Sequence, residues 1–369
     1  MAEYYIDGTI VSATGTGSGT VGDPWGKTDD LLQYALDQIV AGGGKDTTGD
    51  TIYVTGDLNQ TASVDFTGYN PQQTTPLAIR PIEVDLINYD LGGTPFINNT
   101  TTRALLIFHV RFFNFGGNTG AYPVRSDHFS GFFQCVFDGV GSTGTYGFTY
   151  FGPYSTVIGC KFINENRAVG LVSYTSTGGF FAYNYVEIDN TAQYAMYTYY
   201  TTFAHNIVRV KNGRNTGCFL PIATGRYFNN TFYGENNTGS AIFVSSAYED
   251  QNIFNNYFEG LYRPLNISTN HNANVSYLVG NRAYNNTTNT VPSDSTTIVY
   301  DFDNDFAMTE SGLIDPANGD YRPKSSLINA GVNMFAWSQA QEYTVSPTVG
   351  SILPTFESPH TRPIFPRVS

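Results

Sequence analysis

One short phrase returns eight times between residues 103 and 283: an apolar pair, a polar residue, a small or amide residue, any residue, then usually Phe or Val. It reads IFHVRF at 107–112, FFQCVF at 132–137, VIGCKF at 157–162, FAYNYV at 181–186, FAHNIV at 203–208, YFNNTF at 227–232, IFNNYF at 253–258 and LVGNRA at 278–283. Its fourth position is Val110, Cys135, Cys160, Asn184, Asn206, Asn230, Asn256 and Asn281, with spacings of 25, 25, 24, 22, 24, 26 and 25 residues. A repeat of this length, with two or three short strands and no helix between them, is one turn of a parallel β-solenoid. Stacked turns of such a solenoid rise by about 4.8 Å, the spacing of hydrogen-bonded strands.

Strand alternation assigns faces within the phrase. The positions two before and two after the Cys/Asn column are apolar, as in Phe108 and Phe112, Phe133 and Phe137, Phe228 and Phe232, and are placed with that column in the interior. A second inner column is expected through Phe148, Leu171, Met196, Phe219, Ile242 and Leu265. The amides Asn184, Asn206, Asn230, Asn256 and Asn281 read as a structural ladder, passing side-chain hydrogen bonds from coil to coil at a bend. Cys135 and Cys160 share the column one coil apart and read as reduced core thiols, since stacked parallel strands suit disulfide geometry poorly.

The ends of the chain carry a family likeness. DPWGKTDDLLQYALDQIV (23–40) followed by GDTIYVTGDL (49–58) resembles the opening of the right-handed parallel β-helix, or pectin-lyase-like, superfamily, and NGDYRPKSSLINAGVN (318–333) is similar to its closing phrase. The resemblance implies an all-β, right-handed parallel β-helix of about 24 residues per coil. Its parts would be an N-terminal segment and capping helix over 1–50, the β-helix over 51–300, and closing coils with an extended tail over 301–369. In the helix, Asp29 is the expected N-cap and Leu31, Leu32, Ala35, Leu36 and Ile39 form the apolar stripe that would cover the first coil.

Polygalacturonases and pectate lyases of this superfamily use clustered acids with a basic residue. Arg209-Val210-Lys211 is close to the Arg-Ile-Lys phrase of polygalacturonases, while their Asn-Thr-Asp and Gly-His-Gly phrases are absent. Register places Asp138, Ile163, Glu187, Arg209 and Tyr233 in one outward column and Glu165, Asp189, Lys211 and Glu235 in the next. Glu187 over Arg209 and Asp189 over Lys211 are thus expected ion pairs, with His205 on the same face. No catalytic residue is assigned; were the chain an enzyme, Asp138, Glu165, Glu187, Asp189, Arg209 and Lys211 would carry the chemistry. His109 and His128 stand alone, and no His/Cys/Asp spacing suggests a metal; no cofactor is expected.

Composition bears on partners. Asp, Glu, Lys and Arg make up only 13% of the chain against roughly 25% in an average domain, and the net charge is −13. Without a Lys/Arg cluster, nucleic acid is excluded as a partner. No apolar run of about 18 residues suggests a membrane span, and MAEYYIDGTIVSATG has no signal-peptide pattern, so synthesis in a cytoplasm is expected. Tyr194, Tyr197, Tyr199 and Tyr200 exceed what a narrow coil can hold and read as a contact surface. Few charges, short connections and richness in Asn, Thr, Tyr and Gly resemble β-helical phage spikes, vertex and decoration proteins. That resemblance implies a non-enzymatic virion protein, homo-oligomeric, attached to other virion proteins through its termini (1–25 and 336–369), and contacting host glycans. The alternative is a polysaccharide lyase or glycoside hydrolase acting on the outer face.

Overall fold

The computed structural model describes residues 2–42, 49–66, 76–98, 105–115, 124–126, 130–140, 149–163, 171–173, 179–190, 196–198, 201–213, 218–221, 225–244, 251–267, 275–288 and 298–330, apart from positions 84, 95, 153, 236, 238, 303 and 329. Short runs of Val, Ile, Phe and Tyr form three parallel sheets of 12, 9 and 11 strands, each gaining one strand per coil. The first sheet runs from Ala2–Asp7 to Ile298–Phe302, the second from Val64–Asp65 to Arg263–Ile267, and the third from Leu58–Asn59 to Asp305–Met308. The chain is an all-β parallel solenoid with one N-terminal helix.

The ladder lies at the bend between the first and third sheets. The Asn184 side chain accepts from Cys160 N (2.8 Å), donates to Val157 O (3.0 Å) and donates to Asn206 Oδ1 (3.0 Å), an oxygen that also accepts from Asn184 N (2.8 Å). The same set of bonds recurs at Asn206, Asn230, Asn256 and Asn281 and extends to Asn304, whose Oδ1 accepts from Asn281 N (2.7 Å). Each amide from Asn184 to Asn281 therefore satisfies a backbone N–H and a backbone C=O of the preceding coil and bonds the amide side chain of the following one, all in a fully buried position. At the other end the ladder passes to sulfur: Cys135 N donates to Cys160 Sγ (3.4 Å), and Cys135, Cys160 and Cys218 are all free thiols.

The residue before each ladder position has a left-handed backbone: φ is 55° at His109, 54° at Gln134, 57° at Tyr183, 56° at His205, 52° at Asn229 and 54° at Asn255. Such a conformation costs a side-chain-bearing residue on the order of 1 kcal/mol, which the ladder bonds offset. It also interrupts strand alternation, and this corrects the interior assignment. Phe108, Phe133 and Phe228 lie half-buried on the outer surface, while Ile107, Phe132 and Tyr227, one position earlier, fill the core. Beyond the bend the expected phase holds, with Phe112, Phe137 and Phe162 buried and stacked at centroid distances of 5.5 and 4.6 Å. In the second sheet Thr149 takes the place expected of Phe148, which lies outside the described residues; Leu171, Met196, Phe219, Ile242 and Leu265 follow in register.

The first coil is closed by two devices. The helix Leu31–Ala41 buries Leu31, Leu32, Ala35, Leu36 and Ile39. Asp29 is not its N-cap: Asp30 takes that place, with φ 54° and no side-chain cap bond. The Asp30 carboxylate turns instead to the next strand connection, accepting from Thr61 N (2.7 Å) and Ala62 N (3.1 Å). The strand Ala2–Asp7 precedes the helix and pairs with Asp50–Thr55, so residues 1–50 supply both a strand and the cap. Its outer edge is taken up by the chain itself through Tyr5 N to Gly19 O (3.0 Å) and Trp25 N to Tyr5 O (2.9 Å), with Tyr4 stacked on Trp25. Among the described residues no helix is long and apolar enough to cross a membrane.

Replacing Asn230 with Ala strips partners from Asn206 N, Asn206 Nδ2, Phe203 O and Asn256 Oδ1 at once. At about 1–3 kcal/mol per stranded buried group, partly recovered by relaxation, denaturant unfolding should show a loss of about 3–5 kcal/mol. Asn212→Ala, at an exposed position on the third sheet, should stay within about 0.5 kcal/mol.

Candidate functional site

Because ladder residues point inward, the next residues of each third-sheet strand alternate predictably. Val186, Val208, Phe232 and Phe258 are buried in the core. Tyr185, Ile207, Thr231 and Tyr257 form one outward row, and Glu187, Arg209, Tyr233 and Glu259 form the next. A register shift between Ile188 and Asp189 sets Asp189 opposite Asn212 rather than Lys211. The expected Asp189–Lys211 pair is therefore not made: Asp189 accepts from Asn212 Nδ2, and Lys211 Nζ reaches Glu187 Oε1 at 2.5 Å. The expected pair of Glu187 with Arg209 is present at 3.6 Å, and Arg209 Nε lies 2.5 Å from Glu235 Oε1. Arg209 thus bridges two carboxylates, and Glu187 is held by two cations.

These charges are partly open to solvent, with side-chain exposures of 25% for Arg209, 33% for Lys211, 30% for Glu235 and 11% for Glu187. Around them stand tyrosines from two parts of the chain. Tyr185 donates to Glu187 Oε2 at 3.4 Å. Tyr321 packs between Tyr185 and Tyr233 at centroid distances of 6.3 and 5.8 Å. Desolvation pushes the phenols of Tyr185 and Tyr321 above their ordinary range, so both are neutral hydroxyls.

Tyr321 arrives on the closing phrase, which folds as an antiparallel hairpin of Leu313–Asp315 and Asp320–Pro323. The hairpin lies back on the outer face of the third sheet. There it builds a second apolar cluster, outside the solenoid, of Ile207, Tyr257, Leu313, Tyr321 and Leu327. A polar seam fixes its root: Gly312 N donates to Tyr257 OH (2.6 Å), and Tyr257 OH (2.6 Å) and Ser311 Oγ (2.8 Å) both donate to Glu259 Oε2. Gly312 has no room for a side chain there, since a Cβ would stand 2.4 Å from Leu327 Cδ1.

The other expected site residues are dispersed. Asp138 is buried two coils away and paired with Arg111 at 2.6 Å. Glu165, Tyr194, Tyr199, Tyr200 and His128 lie outside the described residues, as does the side chain of Tyr197 in the strand Met196–Thr198. His205 is not on the charged face: it sits on the bend, its ring stacked 4.9 Å from Tyr183 and its Nε2 3.4 Å from Asn229 Nδ2, and burial lowers its pKa. His109 occupies the equivalent bend position and is lowered by burial and by Arg80. Among the described residues no His/Cys/Asp/Glu group could hold a metal ion. Tyr233 and Glu235 stood in the expected outward columns without being taken as site residues, and Tyr185, Glu259 and Tyr321 were placed in neither column; the outward phase one and three residues after each ladder position would have found Tyr185 and Glu259.

No protein-family model matches the chain, and no curated protein matches it. Among solved structures the chain is similar to a GH136 lacto-N-biosidase from Eubacterium ramulus. The selenomethionine derivative shows 12% identity and a TM-score of 0.44 over 83% of this chain and 67% of that one. The native protein shows 11% and 0.45 over 82% and 67%.

The hairpin's attachment should depend on pH. Burial raises the Glu259 carboxyl pKa, outweighing the lowering by Tyr257, Ser311 and Lys324. A carboxyl raised in the folded state favours the docked hairpin below its unfolded-state pKa, and that advantage is lost as pH rises through the folded-state value. Hydrogen exchange at Gly312 and Leu313, corrected for intrinsic rates, should show protection falling with pH in the native chain and a flatter profile in Glu259→Gln.

Proposed function

We propose that this chain engages carbohydrate on the outer face of the third sheet, around Arg209. The observation that carries the reading is the convergence of Tyr185, Tyr233 and Tyr321, from the solenoid and the hairpin, on the interlinked Glu187, Arg209, Lys211 and Glu235 group. Sugars offer apolar C–H faces and hydroxyl rims. The half-buried Tyr185 and Tyr233, backed by the buried Tyr321, supply aromatic surface with a polar tip, and ion-paired carboxylates and guanidinium supply fixed acceptors and donors. The cluster's two acids and two bases offset one another, which suits a neutral glycan better than a highly charged one. Of the two settings expected from the sequence, a carbohydrate-acting one uses these side chains; a purely structural place on a virus particle leaves their arrangement without a role.

Hydrolysis of the bound glycan is the second reading, favoured by the two carboxylates that flank Arg209. In the arrangement described, the guanidinium occupies the space between Glu187 and Glu235 where a scissile bond would sit between paired acids, so binding is preferred to turnover.

Titration against a panel of immobilised neutral and acidic oligosaccharides tests the proposal. Binding to a neutral glycan, weakened roughly tenfold or more by Tyr233→Ala or Arg209→Ala in a chain that keeps its melting temperature, supports it. Absence of binding across the panel overturns it. Release of reducing ends, abolished by Glu187→Gln, would promote the hydrolytic reading over binding alone.

A further inference from the structure

The outer face of the first sheet has the opposite character to that of the third. Between the strands Asp50–Thr55 and Val275–Val279, the two outward positions of each strand carry no carboxylate, although the chain has a net charge of −13. Seven of these twenty positions are aromatic: Tyr53, Phe108, Phe133, Phe180, Phe228, Phe254 and Tyr277. Phe108 stacks on Phe133 with centroids 4.8 Å apart and planes at 14°, and Phe228 packs on Phe254 at 5.5 Å. Arg80 lies over the rings of Tyr53 and Phe108 at 5.8 and 5.9 Å. Phe180, on the strand Phe180–Ala182 near the middle of the stack, is 41% exposed.

We propose that this face is the contact between two copies of the chain, packed sheet to sheet about a two-fold axis. The occupant follows from charge and size. Between those strands the first sheet has no carboxylate at its outward positions, so two copies of a chain of net charge −13 can approach there without opposing acids; its exposed cations are Arg80, lying over Tyr53 and Phe108, and Arg226. Ten strands about 4.8 Å apart, each presenting roughly 13 Å of length, give on the order of 600 Å² of flat area per copy. Doubled, that is about 1,200 Å², at the lower bound for a specific, stable interface. Aromatic enrichment with depletion of acids is the composition of such an interface core.

The test is the mass of the full chain in solution, by light scattering and sedimentation, together with a cross-link. A dimer at micromolar concentration is expected, and Phe180→Glu should convert it to monomer with an unchanged melting temperature, since the position is exposed. The three native cysteines are buried, so Thr156→Cys supplies a single reactive thiol midway along the same face. In either two-fold arrangement it lies near its own counterpart, and a short bis-maleimide should join the chains, whereas Asn212→Cys on the third sheet should not be joined. A wild-type monomer, a dimer indifferent to Phe180→Glu, or cross-linking at Asn212→Cys in place of Thr156→Cys overturns the proposal.

Discussion

A side-chain amide that answers the backbone of the coil before it and holds the amide of the coil after it is what the rest of the molecule depends on. The bend between the first and third sheets leaves buried backbone N–H and C=O groups that neither sheet can pair. From Cys160 to Asn304 those groups are met by Asn side chains, each tied to the next at 2.8–3.1 Å. Because the amides are buried and interlinked, each fixes the register of its neighbours. Register in turn decides which residues of the third sheet face outward, and so brings Glu187, Arg209 and Lys211 onto one surface.

Much of this was legible in the spacing of one column. The 22–26-residue period fixed the coil, the amides marked the ladder, and the phase after each amide located the charged face. What the pattern misjudged has local causes. Strand parity was carried through the bend, but the left-handed residue at His109, Gln134 and their equivalents resets it, so Phe108 and Phe133 face out. Asn304 escaped notice because its phrase, DFDNDF, is acidic where the others are apolar. The partner of Lys211 was misassigned because a one-residue register shift between Ile188 and Asp189 leaves no trace in composition.

The hairpin was legible as a phrase and not as a place. Its apolar residues Leu313, Tyr321 and Leu327 suit a closing coil equally well, and nothing local tells that they pack outside the solenoid. The distinction lies in the sheet beneath: Ile207 and Tyr257 are apolar or aromatic at outward positions that would otherwise meet water. The described residues thus form two apolar clusters of different construction, one enclosed by three sheets and one sandwiched between a sheet and a single returning strand pair. The second is the smaller and rests on a seam containing an acidic side chain, Glu259.

The ladder also bears on how a chain of this kind changes length. Each asparagine addresses only the coil before and the coil after, with the same set of contacts at every step. A segment cut from one ladder asparagine to the next would rejoin like to like, with the bend, the amide chain and the inward phase all restored at the seam. Coils are therefore interchangeable currency for insertion and deletion in the middle of the stack. The capped first coil and the clasped last one are not, and they hold the two ends constant while the number of turns between them is free to drift.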